Sequence, residues 1–180
     1  MATLVLTVLG DDRSGLVDAL ADVVEAQGGN WTKSRMAELA GKFAGIVLVT
    51  VPDANAASFE AALDPLREQG LLDITVAASQ TDAAQSNDGS DAVFALSLLG
   101  PDQPGIVHEL SGALAERNVS IADLRTELRE APMAGGMLFE AHALLEAPAG
   151  LSATELQQCI EDLEAELMVD IELQAANAPL

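Results

Sequence analysis

Basic residues are scarce in this chain. Its 180 residues hold eight Lys and Arg, of which only Lys33 and Lys42 are lysine, against 29 Asp and Glu, for a formal net charge of −21. Such a surface repels phosphate, which argues against direct binding of DNA or RNA and against docking on an anionic membrane. No basic half is hidden in the sum: residues 1–90 hold five cations against 13 acids, and residues 91–180 hold three against 16. A single cysteine, Cys159, can make neither an internal disulfide nor a cysteine metal cluster. No apolar run reaches the ~18 residues of a membrane span. The stretch Met1 to Leu9 lacks a basic region and meets Gly10-Asp11-Asp12 too early for a secretory signal. Neither G-x-G-x-x-G nor G-x-x-x-x-G-K-[ST] occurs, nor G-x-S-x-G or H-E-x-x-H. The expectation is a cytoplasmic protein without metal or cofactor. What the chain does have is apolar material, 49% of its residues, enough for a core.

The most informative presence is an internal repeat. Leu6-Thr-Val-Leu-Gly-Asp-Asp-Arg-Ser-Gly-Leu-Val17 lies over Leu96-Ser-Leu-Leu-Gly-Pro-Asp-Gln-Pro-Gly-Ile-Val107 at an offset of 90, half the chain. Without a gap, Leu6, Leu9, Gly10, Asp12, Gly15, Val17, Leu20 and Arg35 meet Leu96, Leu99, Gly100, Asp102, Gly105, Val107, Leu110 and Arg125. Two Gly and an Asp at one spacing inside a shared apolar frame indicate two copies of one domain. The polar stretch 79–91 reads as a linker. The expected division is 1–78, linker 79–91, and 92–180.

Each copy follows one pattern. Thr3 to Leu9 reads as a buried strand, Gly10 to Ser14 as a turn, and Gly15 to Gln27 as a helix stopped by Gly28-Gly29. Asn30 to Leu39 and Lys42 to Val51 read as a hairpin about Ala40-Gly41. Ala54 to Gln69 predicts a second helix and Leu71 to Ala77 a closing strand. In the second copy the strand is Ala92 to Leu99 and the helix Gly105 to Arg117. The hairpin is Val119 to Arg129 with Met137 to Leu145. A helix over Ser152 to Glu166 starts with a Ser152/Glu155 capping box, and the last strand is Met168 to Leu173. The order βαββαβ predicts an α+β fold of two ferredoxin-like domains, each an antiparallel sheet with helices on one face.

The loop recurring in both copies is Gly10-Asp-Asp-Arg-Ser-Gly15, matched by Gly100-Pro-Asp-Gln-Pro-Gly105, and it opens a helix. A helix start offers unpaired N–H groups and a partial positive charge, and a glycine there keeps the amides accessible to a carboxylate. The same residues have a plainer use: Asp12 and Asp102 as caps, Pro104 in a first turn, Gly15 and Gly105 for close packing.

The stretches Leu9-Gly-Asp-Asp-Arg-Ser-Gly-Leu-Val17 with Gly28-Gly-Asn-Trp31, and Leu99-Gly-Pro-Asp-Gln-Pro-Gly-Ile-Val107 with Asn118-Val-Ser-Ile121, resemble the ACT domain, the ligand-sensing module of amino-acid metabolism. Two bare units resemble the glycine-cleavage-system transcriptional repressor group. The resemblance implies a ligand held where the first loop and helix start of one unit meet the second strand of a neighbour. It assigns Gly10, Asp12, Gly15 and Asn30 in the first copy, and Gly100, Asp102, Gly105 and Ser120 in the second. Amides near Gly15 or Gly105 would hold a carboxylate, and Asn30 or Ser120 would hydrogen-bond the ligand. Asp12 or Asp102 would either cap the helix or face an ammonium. The resemblance further implies a non-catalytic regulator that binds glycine or a similar amino acid and acts through a partner protein, with a homodimer among the expected assemblies. A protein adaptor or an allosteric subunit of a metabolic enzyme is the alternative.

Other residues read structurally. His108 and His142, with Glu109 or Glu140, lack a recognised metal-ligand spacing. Cys159 falls on an apolar helical position. Trp31 aligns with Ile121 and reads as core or interface filler. Arg35 and Arg125 read as ion-pairing residues. The acids Glu161, Asp162, Glu164 and Glu166 read as a solvated helix face.

Overall fold

The computed structural model describes residues 1–79, 92–132 and 135–176. Apart from Ser79, the expected linker lies outside the described residues. The chain divides into two compact units, Met1–Ser86 and Asn87–Leu180. In the first, the order is β1 (Ala2–Asp11), α1 (Leu16–Ala26), β2 (Asn30–Leu39), β3 (Lys42–Val51), α2 (Ala56–Ala62), α3 (Asp64–Glu68) and β4 (Asp73–Ala78). In the second it is β5 (Ala92–Pro101), α4 (Ile106–Ala115), β6 (Ser120–Glu130), β7 (Met137–Ala147), α5 (Ala153–Leu167) and β8 (Asp170–Ala176).

Each sheet has four strands, ordered β2-β3-β1-β4 and β6-β7-β5-β8, with every neighbouring pair antiparallel. This is the predicted ferredoxin-like arrangement, in which helical crossovers set β1 and β2, or β5 and β6, on either side of a third strand. Alternation explains why the helices cover one face. Leu4, Leu6 and Val8 of β1 and Val47, Val49 and Val51 of β3 are buried with Leu16, Leu20 and Val24 of α1, Phe59 of α2 and Leu66 of α3. On the opposite face Leu9 is 49% and Ile46 56% exposed. The second unit repeats this with Phe94, Leu96 and Leu98 of β5 against Leu110 and Leu114 of α4 and Leu156, Ile160 and Leu163 of α5. Each such leucine contributes about 1.5–3 kcal/mol by leaving water.

Local rules set the ends. Gly28, at φ 66°, donates to Glu25 O, and Gly29 donates to Val24 O, the paired bonds of a Schellman stop, as the Gly28-Gly29 step predicts. Ala40 and Gly41 both have positive φ and form the two-residue hairpin turn. One expectation needs correction: Ala54 to Gln69 is not one helix. It breaks at Leu63 into α2 and α3, because Pro65 has no N–H to donate to Ala61 O, and Pro65 instead sits in the first turn of the second helix, just after Asp64. The last strand also starts later than read from the sequence. Met168, at φ 52° and exposed, ends α5 instead of opening β8. Among the described residues, no helix is long and apolar enough to cross a membrane.

Candidate functional site

The recurring loop is built the same way in both units. After β1, the Asp12 N–H donates to Gly41 O at 2.9 Å, and after β5 the Asp102 N–H donates to Met137 O at 2.9 Å. The chain then turns through a left-handed glycine, Gly15 at φ 91° or Gly105 at φ 98°, which serves as the helix N-cap. Among the described residues, no side chain caps either helix, and α2 and α3 likewise start without a side-chain cap. Asp12 and Asp102 are therefore not caps, and Pro104 precedes the cap instead of sitting in the first turn. Nothing lies within 4 Å of a side chain added at Gly15 or Gly105, so these glycines serve the backbone angle and not close packing. The result is two helix starts whose first amides meet no side-chain acceptor. The contrast within the chain is α5, where Ser152 Oγ accepts from the Glu155 N–H at 3.2 Å and the Ser152 N–H donates to Glu155 Oε2 at 2.9 Å. The Ser152 N–H, and the Ser152 hydroxyl donating to the same Glu155 Oε2 at 2.7 Å, hold the Glu155 carboxyl below its ordinary pKa.

Gly10 and Gly100 have a different use. A side-chain carbon at Gly10 would come within 2.5 Å of Leu71 O, and one at Gly100 within 2.4 Å of Val169 Cγ1. Both glycines let the first strand pass under the connection leading to the last strand. A second contact pins the loop there: Arg13 Nη2 donates to Gly70 O at 2.7 Å, and its counterpart Gln103 Nε2 donates to Leu167 O at 2.6 Å. Sequence reading found the glycines but not this pair, because the side chains differ in the two copies while the geometry is shared.

The assigned residues fall at two ends. Gly10, Asp12 and Gly15 gather at one end of the first sheet, and Gly100, Asp102 and Gly105 at the corresponding end of the second. Asn30 opens β2 after α1 has run the length of the sheet, and its 11 residues rise about 16 Å. Asn30 pairs with Thr50, and Ser120 with Glu146, at the far end of each sheet. No unit brings its own Asn30 or Ser120 to its own loop.

A cleft of about 290 Å³ lies beside the first loop, lined by Leu9, Gly10, Asp11, Lys42 and Gly70 to Asp73. Lys42 donates a hydrogen bond to Asp11 and lowers the pKa of its carboxyl. By register, Pro101 and Leu138 take these places in the second unit, so the charged pair is particular to the first.

The remaining polar residues are structural in their surroundings. His108 is exposed in the first turn of α4. His142 Nε2 stands 3.0 Å from Glu140 Oε1 and its Nδ1 3.3 Å from Ser97 Oγ, while Arg129 Nε lies 3.1 Å from Glu140 Oε2. Arg125 lies 3.7 Å from Asp123. Among the described residues, no group of three or more His, Cys, Asp or Glu is placed to hold a metal. Cys159 is buried, and burial pushes its thiol pKa up. Trp31 and Ile121 both pack against their cores as filler.

The ACT-domain profile matches residues 2–77 and 93–174. No curated protein matches the chain. A solved structure of an unknown protein from Galdieria sulphuraria is 29% identical, with TM-score 0.84, over 98% of this chain and 99% of that one. A solved "putative glycine cleavage system transcriptional repressor" is 21% identical, with TM-score 0.72, over 98% of each chain. Two profile matches spanning most of the sequence, on two sheets of the same order, show that this chain belongs to the ACT-domain family.

Proposed function

We propose that this chain is a non-catalytic regulatory protein of the cytoplasm that binds a small amino acid, glycine or one similar, and controls amino-acid metabolism through a partner protein. The observation that supports it is the pair of helix starts at Gly15 and Gly105, left without side-chain caps in both units. Such amides, with the helix dipole behind them, suit a carboxylate. Asp12 or Asp102 would then face the ammonium, and Asn30 or Ser120 would be supplied by a neighbouring unit, since each lies at the wrong end of its own sheet. Gly10 and Gly100 would act by placing the loop. The family and the name of the 21%-identical structure agree with this reading. With a net charge of −21, action on transcription would pass through a DNA-binding partner.

A second reading is a protein adaptor or allosteric subunit whose ligand sites no longer work. The replacement of Asn30 by Ser120 in the second copy favours it there. Thermal unfolding of the full chain with glycine, serine and other amino acids separates the two. A sensor gains about 2.7 kcal/mol at a hundredfold excess over Kd. An unchanged transition with every amino acid would reject the sensor and leave the adaptor.

A further inference from the structure

The helices cover one face of each sheet, and the two uncovered faces differ in charge. In the first unit, strand register puts Lys33 and Arg35 of β2 and Lys42 of β3 on that face, with Asp11 and Asp73 as its acids. Three of the eight cations of the chain therefore share one face. They surround Leu9, Leu39 and Ile46, which are 49%, 79% and 56% exposed. In the second unit, acids of β6, β7 and β8, among them Glu127, Glu140 and Glu172, outnumber Arg125 and Arg129 on the uncovered face. The repeat makes the exchange visible. Lys33 and Ala44 of the first face occupy the places of Asp123 and Glu140 in the second, and Ile46 that of His142.

We propose that these two faces are the halves of an interface between copies of this chain. The uncovered face of the first sheet of one copy seats on the uncovered face of the second sheet of another, and the reverse contact closes the pair about a two-fold axis. Sign selects this combination. First face on first face sets Lys33 and Arg35 against like charges, and second on second sets carboxylates against carboxylates. Only unlike faces bring basic and acidic side chains together around an apolar centre.

Area selects the reciprocal form. Strands about 4.8 Å apart and about seven residues of about 3.3 Å each give a four-stranded face of roughly 450 Å². One pair of faces then hides about 900 Å², less than a stable association needs, whereas two pairs hide about 1,800 Å², within the usual range of about 1,200–2,000 Å². The reciprocal pair also uses both faces of both copies, so growth stops at two. Two chains at −21 repel at long range, but that field is screened beyond about 8 Å at physiological ionic strength, and apposed side chains of stacked sheets meet at shorter distance. The pairing rests on the sheet faces, not on a strand edge or on ligand binding.

Sedimentation of the full chain over a range of concentration, with far-UV circular dichroism as a folding control, tests it. The unaltered chain is expected to form a reversible dimer that loosens as salt rises. The first-face variant Lys33→Glu/Ile46→Glu sets new carboxylates against an acidic face at both contacts. The second-face variant Glu127→Lys/Glu172→Lys sets new cations against a basic face at both. Each alone should weaken association by about tenfold or more. Mixed together they should associate more tightly than either alone. In the mixed pair the two altered faces meet with opposite charge, and the two unaltered faces meet each other. A monomeric chain, or a dimer indifferent to either variant, would overturn the proposal; loss with the first-face variant alone would mean that another occupant covers that face. A mixture no tighter than its components would overturn it as well.

Discussion

Replacing Gly10 by alanine tests why that glycine recurs in the repeat. The added carbon would lie 2.5 Å from the backbone oxygen of Leu71 and 3.1 Å from Leu72 Cδ2. The oxygen belongs to the connection held by Arg13 on Gly70 O, so relief requires moving backbone instead of turning a side chain. Overpacking of this kind costs about 1–3 kcal/mol, and about 2 is expected here. Trp31, the only tryptophan, packs against the core of the first unit, so its fluorescence reports that unit. With a urea slope of about 1 kcal/mol per molar for a domain of this size, the Trp31 midpoint should fall by about 2 M. Gly15→Ala meets nothing within 4 Å and costs only the left-handed backbone angle, about 1 kcal/mol. A Gly10→Ala midpoint equal to that of the unaltered chain, or no lower than that of Gly15→Ala, would refute the packing argument.

Other outcomes follow from the same geometry. Ser152→Ala should cost about 1 kcal/mol by opening the capping box of α5, read by the loss of stability in calorimetry. Because that box lowers the folded pKa of Glu155, its contribution is present above the unfolded carboxyl pKa and is lost as pH falls through the folded value. Ser152→Ala should therefore reduce the loss of stability in acid. Cys159 should react with a thiol reagent only as fast as the unit opens, and prompt labelling of the native chain would contradict its burial. Its raised folded pKa has the opposite sense: above the unfolded thiol value of about 8.5, the unfolded state ionises first and stability declines with rising pH.

The sequence carried the fold because its signals were local and repeated. The Gly28-Gly29 stop, the Ala40-Gly41 turn and the Ser152/Glu155 box each depend on a few neighbouring residues and recur in the structure as read, whereas Thr3 to Leu9, read as a buried strand, is buried on one face only. Pro65 was equally local, yet the spacing of Phe59, Leu63 and Leu66 masked the break it causes, since all three remain buried across it. The repeat identified Gly10 and Gly100 but not their reason, which depends on Leu71 and Val169 arriving from much later in the chain. The cap assignment at Asp12 and Asp102 failed because the cap position falls on Gly15 and Gly105, at positive φ and three residues past each Asp. The separation of Asn30 from Gly15 follows from the intervening helix.

The central claim is that the first-turn amides after Gly15 and Gly105 receive a carboxylate. Its most direct test is a titration of isotopically labelled chain with glycine, followed by amide resonances. The account predicts saturable shifts concentrated at Leu16, Val17 and Asp18 or at Ile106, Val107 and His108. Saturable shifts elsewhere with these amides still, or no saturable shift with glycine, serine or any other amino acid, would contradict it.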